Sequence, residues 1–146
     1  MKMIEQDTIK LLRECDAGIK MGVASIEDVI DDVKSEDFKK MLEKSIGHHQ
    51  QLQDEIQILL DEYHDDGKNP NPIAKGMSYV KTNLKVAVDP SDSTIADLMT
   101  DGCNMGIKSL TKYLNEYEAA DKKSKDLAKK VIGLEESLAQ DMKEYL

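Results

Sequence analysis

The sequence predicts an all-α fold: four long helices arranged as two hairpins, joined by a long crossover. Three observations carry that expectation. Apolar residues recur at steps of three and four along nearly the whole chain, the signature of amphipathic helices. Stop and cap signals fall at only a few places. The composition is helix-favouring, with 8 Gly and 3 Pro among 146 residues otherwise rich in Leu, Ile, Lys, Glu and Asp. That length is about one domain, and it buries enough surface for one core without staples.

The first helix follows a seam through Ile4, Thr8, Leu11 (or Leu12), Cys15, Ile19, Gly22, Ile26, Val29 and Val33. Ser35 reads as the N-cap of the second, with Glu36 and Asp37 in the acidic first turn that the helix dipole favours. Its seam is Phe38, Leu42, Ser45, His49, Leu52, Ile56, Leu59 and Tyr63. So short a connection makes an antiparallel hairpin, about residues 3–64. Residues 64–72 are a helix stop and a loop. Asn71-Pro72 then reads as a cap and first-turn proline for a shorter helix bearing Ile73, Met77, Val80, Leu84 and Val88. The same signal, Asp89-Pro90, opens the third long helix, with Ile95, Met99 (or Leu98), Gly102, Gly106, Leu110, Tyr113 and Tyr117 on its seam. Asp121 caps the fourth, which carries Leu127, Val131, Leu134, Leu138, Met142 and Tyr145. The second hairpin spans about 92–146 and the crossover about 65–91. A crossover that long lets the second and third helices run parallel.

Charge and composition exclude several functions. A net charge of -9 repels phosphate backbones, so nucleic acid is not an expected partner. No apolar run reaches the ~18 residues of a membrane span. The segment Ile4-Glu5-Gln6-Asp7 puts acids where a signal peptide has its apolar region, so the expected compartment is the cytoplasm. Cys15 and Cys103 are isolated thiols with no CxxC, and there they are expected to be reduced.

The hairpins resemble each other. Cys15-Asp-Ala-Gly18-Ile19-Lys20 aligns with Cys103-Asn-Met-Gly106-Ile107-Lys108, and Lys44-Ser-Ile46-Gly47 with Lys130-Val-Ile132-Gly133. The two matches fall at nearly the same offset, which predicts an internal duplication. Glycine inside a helix costs up to about 1 kcal/mol relative to Ala, so these repeated glycines point to close helix–helix approach.

Duplicated long-helix hairpins with a long crossover resemble the ferritin-like superfamily, which includes ferritins and rubrerythrins. The Cys-x-x-Gly pattern also resembles a small, uncharacterised group of bacterial ferritin-like bundles, and the resemblance runs from about residue 4 to 146. It implies a di-iron site built from one Glu on each of the first and third helices and a Glu-x-x-His on each of the others. Hard carboxylate oxygens and imidazoles must all point inward at two iron ions. Here the position after each repeated Gly, where related bundles have Glu, holds Ile19 and Ile107, and no Glu-x-x-His occurs. The nearest approaches are Ser45-x-x-His48 and Ile46-x-x-His49, while the equivalent stretch of the fourth helix, Val131 to Glu135, has no His. The resemblance therefore implies a bundle whose di-iron site is lost.

Three polar features remain. His49 corresponds to Glu135 in the repeat, so the two are expected to face each other across the bundle. The pair reads either as a hydrogen-bonded core layer or, with His48 or His49, Glu135 and a Cys, as a mononuclear site that Zn²⁺ would accept. Cys15 and Cys103 read either as small buried hydrophobes or as a thiol pair near the pseudo-twofold. Lys75, Lys81 and Lys85 give the crossover a basic face, either docked on acidic bundle surfaces or offered to an acidic partner or membrane surface.

The leading expectation is a non-catalytic bundle without cofactor, acting through its surface or as a homo-oligomer. The alternatives are an iron- or zinc-binding oxidoreductase around His48, His49 and Glu135, and an adaptor using the crossover helix.

Overall fold

A computed structural model describes residues 2–70, 88–89 and 91–146. Four helices account for most of them: α1 (Lys2–Val29), α2 (Glu36–Glu62), α3 (Asp92–Glu116) and α4 (Lys122–Met142). Short 3-10 turns, Ile30–Asp32 and Lys143–Tyr145, close α1 and α4, and no strand occurs among the described residues. None of the helices is long and apolar enough to cross a membrane. The shorter helix expected over 73–88 falls almost wholly outside the described residues.

The caps explain where the helices begin. Ser35 accepts a hydrogen bond from the Phe38 amide and Asp121 from the Ser124 amide, each satisfying a first-turn donor that has no partner within the helix. For α3 the expectation from Asp89-Pro90 needs correction. The cap is Ser91, which accepts from the Thr94 amide. Asp89 instead braces the cap from outside, taking hydrogen bonds from the Ser91 amide and the Thr94 hydroxyl.

Two apolar clusters show how the helices run. One joins Ile26 and Val29 of α1 to Phe38 and Leu42 of α2, Ile95 and Met99 of α3, and Leu138 and Met142 of α4. The other joins Leu11, Leu12 and Ile19 to Ile56 and Leu60, Leu110, and Leu127 and Val131. Each hairpin is thus antiparallel, and α2 and α3 run parallel. The buried row follows the predicted seams with these departures: Leu60 is buried rather than Leu59, Cys103 rather than Gly102 and Glu135 rather than Leu134, and Ile4 is exposed.

Each hairpin's turn is tied to the start of the other hairpin. Asp92, in the first turn of α3, accepts from the backbone amides of Lys34 (2.8 Å) and Ser35 (2.9 Å). At the opposite end Asp7 of α1 accepts from the Ala119 amide (3.1 Å), and Thr8 Oγ1 from the Asp121 amide (2.8 Å). Amides that a tight turn leaves unpaired are satisfied reciprocally.

Gly47 and Gly133 occupy matching places, two residues before His49 and Glu135, and a Cβ on either meets nothing within 4 Å. Both lie exposed on the outside of their helices. Gly47→Ala and Gly133→Ala are each expected to stabilise the fold by up to about 1 kcal/mol, read as a higher urea midpoint with unchanged slope.

Candidate functional site

A polar layer separates the two apolar clusters. His49 of α2 is fully buried, and Glu135 of α4 is only 8 % exposed. The imidazole is fixed at both nitrogens. Nδ1 lies 2.7 Å from the Ser45 carbonyl oxygen, one turn back on α2, and that oxygen can only accept. Nδ1 therefore carries a proton. Nε2 lies 2.9 Å from Glu135 Oε1, a distance that places a second proton between the two groups. The expected facing of His49 and Glu135 is observed.

The pair holds one proton more than a neutral imidazole beside a carboxylate would. Burial alone would lower the His49 pKa. The hydrogen bond to Glu135, with the Ser45 carbonyl and the Glu135 charge, outweighs burial and raises it above the ordinary 6.5. A folded-state pKa above the unfolded one contributes stability in full below the unfolded value, and loses it as pH rises through the folded value. Urea unfolding between pH 6 and 9 is expected to show this part of the stability falling above about pH 6.5. The fall should be absent when both residues are Leu.

Glycines make room for the pair. Gly22 of α1 lies against the imidazole so closely that a Cβ there would fall 2.6 Å from His49 Nε2 and 2.8 Å from its Cδ2. Gly106 of α3 lies over Glu135, where a Cβ would meet Cγ, Cδ and Oε2 at 3.8–3.9 Å, an ordinary contact. Sequence reasoning took Gly106 for a residue of close helix approach and Gly22 only for a seam position, and missed that both face the polar layer. It also aligned Gly18 with Gly106, whereas the residue playing the part of Gly106 is Gly22, one helical turn on. The signal was present: Gly18-Ile-Lys-Met-Gly22 and Gly102-Cys-Asn-Met-Gly106 share their glycines and Met.

Of the remaining candidates, only Cys103 lies beside the layer, next to Glu135. His48 is exposed on α2 and takes no part in the layer. Ile19 is buried in one apolar cluster, while Ile107 is half-buried on α3. Cys15 and Cys103 are free and buried, but they belong to different clusters on opposite sides of the polar layer. Counted along α1 and α3 from Gly22 and Gly106, they lie roughly 15 Å apart along the bundle at about 1.5 Å per residue. A disulfide spans Cα atoms about 4.4–6.8 Å apart, so of the two readings the thiol pair is not formed, and both cysteines are small buried residues. The turn of difference in register explains this, because Cys15 and Cys103 are not equivalent positions. Burial, then the charges of Glu14 and Asp16, pushes the Cys15 thiol up to about 12. Burial and the neighbouring Glu135 push Cys103 up as well. Both are protonated, unreactive thiols at neutral pH. Among the described residues, no group of three or more His, Cys, Asp and Glu is placed to hold a metal ion. Lys75, Lys81 and Lys85 lie outside the described residues.

The chain matches no family model, no curated protein and no solved structure.

Proposed function

We propose that this chain is a ferritin-like bundle without iron chemistry, acting in the cytoplasm through its surface and by self-association. One observation carries the reading. Where a di-iron bundle needs inward carboxylates from its first and third helices, the residues facing His49 and Glu135 are Gly22 and Gly106. Gly22 leaves no space for any side chain. What remains is one imidazole and one carboxylate bonded to each other, with the protonated Cys103 thiol beside Glu135.

The parallel course of α2 and α3, with a crossover between them, supports the ferritin-like reading. The reciprocal ties, Asp92 to the Lys34 turn and Asp7 to the Ala119 turn, support descent of both hairpins from one ancestral hairpin. A metal that binds the folded state alone must raise its melting temperature by mass action. Thermal unfolding with a tenfold excess of Fe²⁺, Mn²⁺ or Zn²⁺ is expected to give the metal-free midpoint. A rise that disappears in His49→Ala would favour the alternative, a divergent metal centre at this layer.

A further inference from the structure

The chain that leaves α2 is held against α1 almost wholly by polar contacts. His64 (φ 55°) and Gly67 (φ 87°) both adopt the left-handed conformation and fold residues 64–69 back along α1. Asp65 Oδ1 accepts from Arg13 and from the Gly67 amide, both at 2.8 Å. Asp16 Oδ2 accepts from the Lys68 amide at 3.0 Å and pairs with Lys20 Nζ at 2.7 Å. Lys68 Nζ pairs with Glu14, and Lys20 also reaches Asn69 Oδ1. Gly67 is pressed onto Asp16: a Cβ there would lie 2.4 Å from Oδ2. Its other close neighbour is Leu60, and none of residues 64–69 is buried.

Beneath this segment Asp16 is fully buried, and its Oδ1 has no hydrogen-bond partner among the described residues. An unpaired buried carboxylate oxygen is unfavourable, and it regains water as soon as the cover lifts. The closed position is thus favoured by half-exposed ion pairs, which salt screens, and opposed by the oxygen it hides. The apolar clusters of the bundle do not depend on it. Local opening is expected where apolar contacts are few.

We propose that residues 64–69 form a charge-held strap that opens from α1 as a unit while the four-helix bundle stays folded. Opening exposes Glu14, Asp16 and Lys20 to water. It also frees residues 66–69, beyond the His64 and Asp65 amides, which stay bonded to the Asp61 and Leu60 carbonyls of α2. The strap thereby sets the access of water to this polar face of α1, a role that stands apart from the chemistry of the His49 layer.

Amide hydrogen exchange of the full chain tests this. In the wild type at low salt, the Gly67 and Lys68 amides should be protected. Either 0.5 M NaCl or Gly67→Ala should speed their exchange at least tenfold, with the Leu42, Ile56, Leu110 and Leu138 amides unchanged. The proposal is overturned if the two strap amides exchange at the rate of an unstructured chain in the wild type. It is equally overturned if they lose protection only together with the bundle amides.

Discussion

Glu135→Leu is expected to destabilise the fold by about 3–5 kcal/mol, and adding His49→Leu to restore most of that loss. The single change strands an imidazole that is fully buried and still bonded to the Ser45 carbonyl, leaving Nε2 with no partner in an apolar surrounding. Removing one member of a buried pair costs this much because of the group left behind. Replacing both with apolar residues of similar volume removes the desolvation penalty together with the attraction, and such exchanges are often neutral or stabilising. The two apolar clusters already flank the layer on both sides, so paired leucines would make them continuous. Equilibrium unfolding of the wild type, both single variants and the double variant gives the coupling directly. Additive losses in the double variant would mean that the residues do not act as a pair.

The second large effect separates two glycines that look alike in sequence. Gly22→Ala is expected to cost about 2 kcal/mol net. Its Cβ falls 2.6 Å from His49 Nε2, and the ring cannot swing aside because both nitrogens are held. Overpacking of this kind costs about 1–3 kcal/mol beyond any gain in helix propensity. At Gly106 the same change adds a methyl at ordinary contact distance from Glu135. Gly106→Ala is therefore expected to be neutral or to stabilise by up to about 1 kcal/mol. Opposite signs at the two positions would identify the imidazole as the reason for Gly22. Equal effects would reduce both glycines to plain helix packing.

Much of the fold was legible because apolar spacing and capping chemistry act locally. The seams through Leu11, Ile26, Phe38, Leu42 and Val131 needed only helical periodicity. The caps at Ser35 and Asp121 needed only a side-chain oxygen three residues before an unpaired amide. The facing of His49 and Glu135 was legible too, since the offset that matches Lys44–Gly47 to Lys130–Gly133 in sequence pairs these two positions. Register between α1 and α3 was not. Two alignments one turn apart keep the same residues on the same face, and only packing against α2 and α4 distinguishes them. That single turn misdirected attention to Ile19 and Ile107 as the positions facing the centre, and to Cys15 and Cys103 as partners. Asp16 was missed for a related reason. A carboxylate beside a seam residue reads as solvated until Gly67, far along the chain, is folded over it.

The middle layer is closed by a proton shared between His49 and Glu135, and the proposed function has it hold no metal. Elemental analysis of tag-free protein, purified without chelators, tests it most directly. Iron, zinc and manganese are each expected well below one atom per ten chains. Near-stoichiometric metal that is lost in both His49→Ala and Glu135→Ala would contradict it.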